Sequence, residues 1–243
     1  MSAEQLPAGQ VDLASRHPLL VRAVDSLCER LPWCVTGVSA LLCDEVGIWC
    51  ELAKPKHWSV RPDGATVVGL GAVGGSLEPG ETLLDCLRRE SLEEIGREPI
   101  MYSAEATAIV YEQREVRRVA AEPGGLTPAL LTVSANVSRH GYLSAWPTLA
   151  IVTYWAQLKQ EPILADMFGL VRIPIPRATA VLAADEMSWS SLQECVDRVL
   201  LTGAGLPERT VVRPVWTIRS LQLALQRAAI SLEARVGQLD DAQ

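Results

Sequence analysis

Residues 66–96, TVVGLGAVGGSLEPGETLLDCLRRESLEEIG, place the tightest local constraint on the chain. TVVGLGAVG (66–74) reads as a strand that runs without a spacer into the glycine-rich GGSLEPGE. Thr82 then stands at an N-cap position and Asp85 closes a capping box three residues on. Gly96 occupies the usual αL C-cap position, so a helix beginning at Leu83 is predicted. At about 100° per residue, Leu83, Leu84, Leu87, Ser91 and Ile95 share one arc, and Leu92 falls outside it. Glu90, Glu93 and Glu94 gather at the rim of that arc, near the end of the helix. A helix C-terminus disfavours negative charge, and Glu90 and Glu94 are also an i,i+4 like-charge pair. Carboxylates crowded in this way raise one another's pKa unless a cation compensates. A hard divalent ion with oxygen ligands is the simplest compensation. Arg89 can grip a carboxylate through its planar fork, and Glu81, just before the helix, is its expected partner.

The rest of the chain alternates strands with a few helices. An amphipathic helix is predicted over 19–31, and buried strands over 33–43 and 46–53. Further strands are predicted within 100–113, 148–159 and 169–175. Residues 113–147 form a long irregular stretch, read as a functional loop or a hairpin insertion. SWSSLQECVDRVLL (188–201) is predicted helical. A final helix is predicted with Pro214 near its first turn, on the spacing of Leu221, Leu225, Ala228, Leu232 and Val236. This pattern implies a mixed α/β sandwich. It divides into an N-terminal helical extension (1–32), a central domain (33–202) and a C-terminal helical extension (203–243). The last helix is expected to pack on the domain or to form the seam of a homodimer.

Composition excludes several classes. With 49% hydrophobic and 21% charged residues the chain is globular. A net charge of −7 argues against a nonspecific nucleic-acid binder, and Arg219, Arg227 and Arg235 are too widely spread for DNA recognition. No apolar run reaches the length of a membrane span, and the N-terminus lacks the layout of a signal peptide. The six cysteines contain no C-x-x-C pair and read as free thiols of a reducing cytoplasm.

Residues 75–97 follow G-x5-E-x7-R-E-x-x-E-E-x-G-x through Gly75, Glu81, Arg89, Glu90, Glu93, Glu94 and Gly96. This pattern resembles the Nudix box of the Nudix hydrolases, with all seven fixed positions present. Two positions depart from it, because Ser91 and Arg97 stand where the family carries bulky aliphatics. The resemblance implies an α/β Nudix fold, with a mixed sheet between helices. It implies that Glu90, Glu93 and Glu94 are catalytic and bind Mg²⁺ or Mn²⁺, with a backbone carbonyl of Gly74 or Gly75 as a further ligand. Glu81 and Arg89 would then hold the loop and helix in shape. The implied activity is hydrolysis of a diphosphate linkage in a small molecule, commonly a nucleoside diphosphate derivative, by water attack on phosphorus. The alternative is a non-catalytic ligand-binding or sensor module on the same fold. An isomerase would need a cysteine and histidine arrangement that this sequence does not present.

Other residues carry less. His17, His57 and His140 lack metal spacing and read as ordinary histidines. Arg114, Arg117 and Arg118 fit a solvated strand edge or a partner contact better than a phosphate grip. Trp146 and Trp155 flank a strand and are expected in the core. A general base outside the box is sought among Glu112, Glu115 and Glu122.

Overall fold

The computed structural model describes residues 8–137 and 145–232. Two short helices open it, α1 (Ala8–Arg16) and α2 (Pro18–Leu27). They lead into strands β1 (Trp33–Cys43), β2 (Gly47–Leu52), β3 (Ser59–Val60), β4 (Thr66–Gly71) and β5 (Val73–Ser76). Helix α3 (Leu83–Ile95) follows, then β6 (Ile100–Tyr102), β7 (Ala106–Tyr111), β8 (Glu115–Ala120), β9 (Leu130–Ala135) and β10 (Thr148–Gln157). The remainder comprises β11 (Gly169–Pro174), α4 (Ile175–Ala183), β12 (Met187–Ser188), α5 (Trp189–Cys195), β13 (Arg198–Leu201), β14 (Thr210–Pro214) and α6 (Trp216–Gln226).

The strands form one mixed sheet with the central order β12-β14-β4-β2-β1-β10-β9-β7-β8. At its centre β1 and β10 run parallel from Trp33↔Thr148 to Cys43↔Gln157. β1 also forks. Its end pairs with β2 at Leu42↔Trp49, while its middle pairs with β5 from Gly37↔Ser76 to Ala40↔Val73. That fork separates β2 from β5 and opens the sheet where the glycine-rich segment turns.

Each face of the sheet carries its own core. Leu13, Leu20 and Val24 from α1 and α2 pack with Leu83, Leu87 and Ile95 from α3 on one side. Leu182, Leu192, Ile218 and Leu221 from α4, α5 and α6 pack on the other. The result is the three-layer α/β arrangement that the strand–helix pattern implied. No helix among the described residues is long and apolar enough to cross a membrane.

The local predictions fail where tertiary pairing competes. The helix predicted over 19–31 stops at Leu27, because Glu29 and Arg30 adopt left-handed φ of 50° and 65°. The helix predicted over 188–201 ends at Cys195, since Arg198–Leu201 pair antiparallel with β11 as β13. A strand preference in RVLL is realised by that partner. The 113–147 stretch, read as a functional loop or a hairpin insertion, does carry a hairpin, because β8 closes on β7, and it also contains β9, which pairs with β10. Beyond residue 202, where only helix was expected, β14 runs parallel to β4 before α6 begins at Trp216. Pro214 therefore ends a strand instead of starting a helix. His140, Arg235 and Val236 lie outside the described residues.

Candidate active site

Helix α3 starts and stops where its sequence signals place it. The Thr82 hydroxyl accepts from the Asp85 N–H at 3.2 Å, and Gly96 takes φ 56° and ψ 22° at the C-cap. Its last carbonyls find donors across the chain. Asp166, Ala165 and Ile163 donate their backbone N–H groups to the carbonyls of Glu93, Glu94 and Ile95 at 3.0–3.1 Å. The end of the helix is thereby satisfied without any basic side chain in its last turn. Of the predicted arc, Leu83, Leu87, Ser91 and Ile95 are fully buried, and Leu92 is exposed. Ser91 buries its hydroxyl without a hydrogen-bond partner among the described residues.

Arg89 organises the segment before the helix. Its Nε and Nη2 donate to the two carboxylate oxygens of Glu81 at 2.7 and 3.0 Å, and Nη2 also reaches the Ser76 carbonyl at 3.0 Å. The fork holds the Glu81 carboxyl near 2, with a further pull from the Glu78 N–H. Charge-assisted paired bonds of this kind contribute on the order of 1–3 kcal/mol and fix the register of the loop on the helix. The same guanidinium donates through Nη1 to Glu90 at 2.9 Å and to Glu93 at 3.2 Å.

At the glycine corner an added side chain would meet its neighbours closely. At Gly74, φ is 146°, and a Cβ would lie 2.2 Å from the Val38 carbonyl oxygen. At Gly75 a Cβ would fall 2.1 Å from Oε1 of Glu90, so the Glu90 carboxylate occupies the space that a side chain would take. Glu94 accepts from the Gly74 N–H at 3.1 Å and is 8% exposed. Burial pushes its pKa up to about 8, and repulsion from Glu51 and Glu90 adds to that shift.

Glu51 was missed in the sequence. It projects from β2 opposite Gly71, accepts no hydrogen bond among the described residues, and is pushed up to about 7 by burial. The signal was available, since a glutamate inside the apolar run GIWCEL is a misfit for a buried strand. Glu51 and Glu94 line one cavity of about 780 Å³, together with Gly74, Gly75, Ser39 and Asn136. Lys54, Lys56 and Arg213 stand on its walls. Lys54 is tied to Asp166 at 2.8 Å. The volume suits a small-molecule ligand.

The structure sets the other candidates apart. Glu122 accepts from the N–H groups of Leu19 and Leu20 at the start of α2. Glu112 accepts from the Ala135 N–H, and Glu115 pairs with Arg117 at 2.8 Å on the β7–β8 hairpin. None of the three is among the residues that line the cavity, whereas Glu51 is. Arg114, Arg117 and Arg118 are absent from its walls as well. His17 is buried against the Leu126 carbonyl at 3.2 Å, whereas His57 does reach the cavity wall. Trp155 is buried, as expected.

Among the described residues no group of three His, Cys, Asp or Glu side chains already stands together as a metal-binding set. Glu90 and Glu93 face Arg89, while Glu94 faces Gly74. The chemistry of the donors nevertheless fits a divalent cation. Carboxylate and carbonyl oxygens are hard ligands, the Gly75 backbone leaves the Glu90 carboxylate room against it, and Glu94 is a buried acid that no side chain among the described residues pairs with in a salt bridge.

A family model described as NUDIX domain matches residues 36–122. No protein of curated function matches the chain. Among solved structures, DR0079 from Deinococcus radiodurans shares 19% identity with a TM-score of 0.36, covering 68% of this chain and 85% of that one. A NUDIX hydrolase from Nitrosomonas europaea shares 14% identity with a TM-score of 0.33, over 62% and 76%. A MutT/nudix family protein from Enterococcus faecalis shares 12% identity with a TM-score of 0.33, over 93% and 76%. The assignment rests on the matched model, which begins within β1, spans the glycine corner and α3, and ends just after β8. Residues 36–122 of this chain match the NUDIX domain family.

Proposed function

We propose that the protein is a divalent-metal-dependent hydrolase that cleaves the diphosphate linkage of a nucleoside diphosphate derivative by water attack on phosphorus. One observation carries this reading. Glu94 is a buried carboxylate held by the Gly74 N–H on the wall of a ligand-sized cavity, with its pKa lifted to about 8 by burial and by repulsion from Glu51 and Glu90. Glu90, Glu93 and Glu94, with a carbonyl of Gly74 or Gly75, would hold Mg²⁺ or Mn²⁺. Such an ion supplies positive charge against the transferring phosphoryl group and acidifies bound water.

The chain's own residues would do the rest. Arg89 and Glu81 lock the glycine loop against α3, so the carbonyls and carboxylates keep their spacing. The Gly74 N–H orients Glu94. Glu51, which accepts no hydrogen bond among the described residues and whose pKa burial pushes up to about 7, has the lone pairs that a proton acceptor for the attacking water needs. Lys56 and Arg213 offer positive charge to the substrate phosphates at the cavity walls. Six free thiols support a reducing, cytoplasmic setting.

One observation favours a binding or sensor module instead. Arg89 holds both Glu90 and Glu93, and so withholds two of the three carboxylates from an ion. Incubation with a panel of nucleoside diphosphate derivatives plus Mg²⁺ or Mn²⁺, followed by assay of phosphate-containing products, separates the two readings. Turnover is expected, and Glu94→Gln should reduce it by orders of magnitude. Tight binding with no turnover across the panel would overturn the hydrolase reading.

A further inference from the structure

Trp216 stands apart from the chain's other tryptophans. It is 62% exposed and adopts φ 45°, in the left-handed region that a bulky side chain rarely enters. It also lines the same cavity as Glu94 and Gly75, although it lies well outside residues 36–122.

Its position is imposed from both sides. On one side, the Val215 N–H donates to the Leu70 carbonyl at 3.0 Å, and the Val215 side chain packs over Gly69, where a Cβ would come within 2.9 Å. On the other, the Thr217 hydroxyl bonds to that of Ser39 at 2.9 Å, and Ser39 bonds in turn to Thr153 at 2.8 Å. Ser39 is the β1 residue paired with Gly74. Trp216 is thus tied through its neighbours to the strand behind the glycine corner. The backbone between these anchors turns through a left-handed conformation with the indole left largely in solvent. A large apolar ring kept exposed at a conformational cost, on the wall of a ligand-sized cavity, is explained by a flat partner that covers it.

We propose that Trp216 is the platform on which a planar, nucleobase-type group of the ligand stacks, so that the C-terminal segment selects the non-phosphate half of the substrate. The inference rests on the reading of the cavity as a nucleoside diphosphate site, but it does not require turnover. Stacking of a base on an aromatic side chain is sequence-tolerant and is lost on truncation to alanine.

The test is equilibrium binding by calorimetry in the presence of Mn²⁺. The probes are adenosine 5′-(α,β-methylene)diphosphate and methylenediphosphonate, which lacks the nucleoside. Trp216→Ala should weaken the nucleoside probe at least about fivefold and leave methylenediphosphonate unchanged, whereas Trp216→Phe should restore most of the loss. Trp216→Gly relieves the left-handed strain, so it should fold at least as well as wild type and still lose the affinity. The proposal is overturned if the alanine and glycine variants bind both probes as wild type does, or lose both equally. It is also overturned if wild type binds the nucleoside probe no more tightly than methylenediphosphonate. Trp216-dependent binding without turnover in the product assay would refute the hydrolase reading alone.

Discussion

Replacing Glu94 with glutamine should stabilise the metal-free protein, and the gain should depend on pH. Burial first, then Glu51 and Glu90, raise the Glu94 carboxyl from an ordinary 4.5 to about 8. A folded-state pKa raised in this way gives a stability contribution that is fully present below about pH 4.5 and is lost as pH climbs to about 8. At pH 7 the unfolded chain ionises freely while the folded site does not, a difference of roughly 3 kcal/mol at 1.36 kcal/mol per pK unit. Part of the shift is shared with Glu51, which can carry the proton instead, so the expected gain in Glu94→Gln is roughly 2 kcal/mol. Glutamine keeps an oxygen for the Gly74 N–H and carries no charge to bury. For a chain of this size that amounts to about 4–8 °C in Tm. Urea unfolding of both proteins in EDTA, from pH 4.5 to 8.5, measures it: the curves should converge at pH 4.5 and separate towards pH 8. Added Mn²⁺ should then stabilise wild type at neutral pH by binding the ionised cluster, with little effect on the variant. A variant less stable than wild type at pH 7.5 in EDTA, or a gap that does not change with pH, would refute the reasoning.

Two further substitutions probe the same segment. Gly75→Ala would place a methyl group 2.1 Å from the Glu90 carboxylate oxygen, at the far end of a flexible side chain. The fold should persist while Mn²⁺ affinity, read by electron paramagnetic resonance, falls at least about tenfold; unchanged affinity would remove the Gly75–Glu90 contact from the site. Ser91→Ala removes a buried hydroxyl that has no partner among the described residues, and a better helix former replaces it. A gain of about 0.5–2 kcal/mol is expected, visible as a higher urea midpoint at unchanged slope.

The sequence by itself determined α3, the glycine corner and the Arg89–Glu81 clamp. These are encoded by neighbours: a cap at Thr82, a C-cap at Gly96, and a fork that reaches a carboxylate eight residues away. It also determined that Glu90, Glu93 and Glu94 crowd one helix end, because helical periodicity alone sets that placement. Apolar runs were enough to announce β1 and β10, although not that they pair in parallel across more than a hundred residues.

What only the tertiary structure decided was everything that joins distant segments. RVLL became a strand because β11 offered it an edge, and residues 163–166 capped a helix that ends at Ile95. Glu51 became part of the site because β2 lies against β4 at Gly71, and Trp216 reached the cavity because β14 pairs with β4. Local sequence sets caps, turns and periodicity, since those interactions close within a few residues. A buried carboxylate's charge, or an aromatic ring's exposure, depends on which remote elements pack around it. Neither property exists until the sheet is assembled.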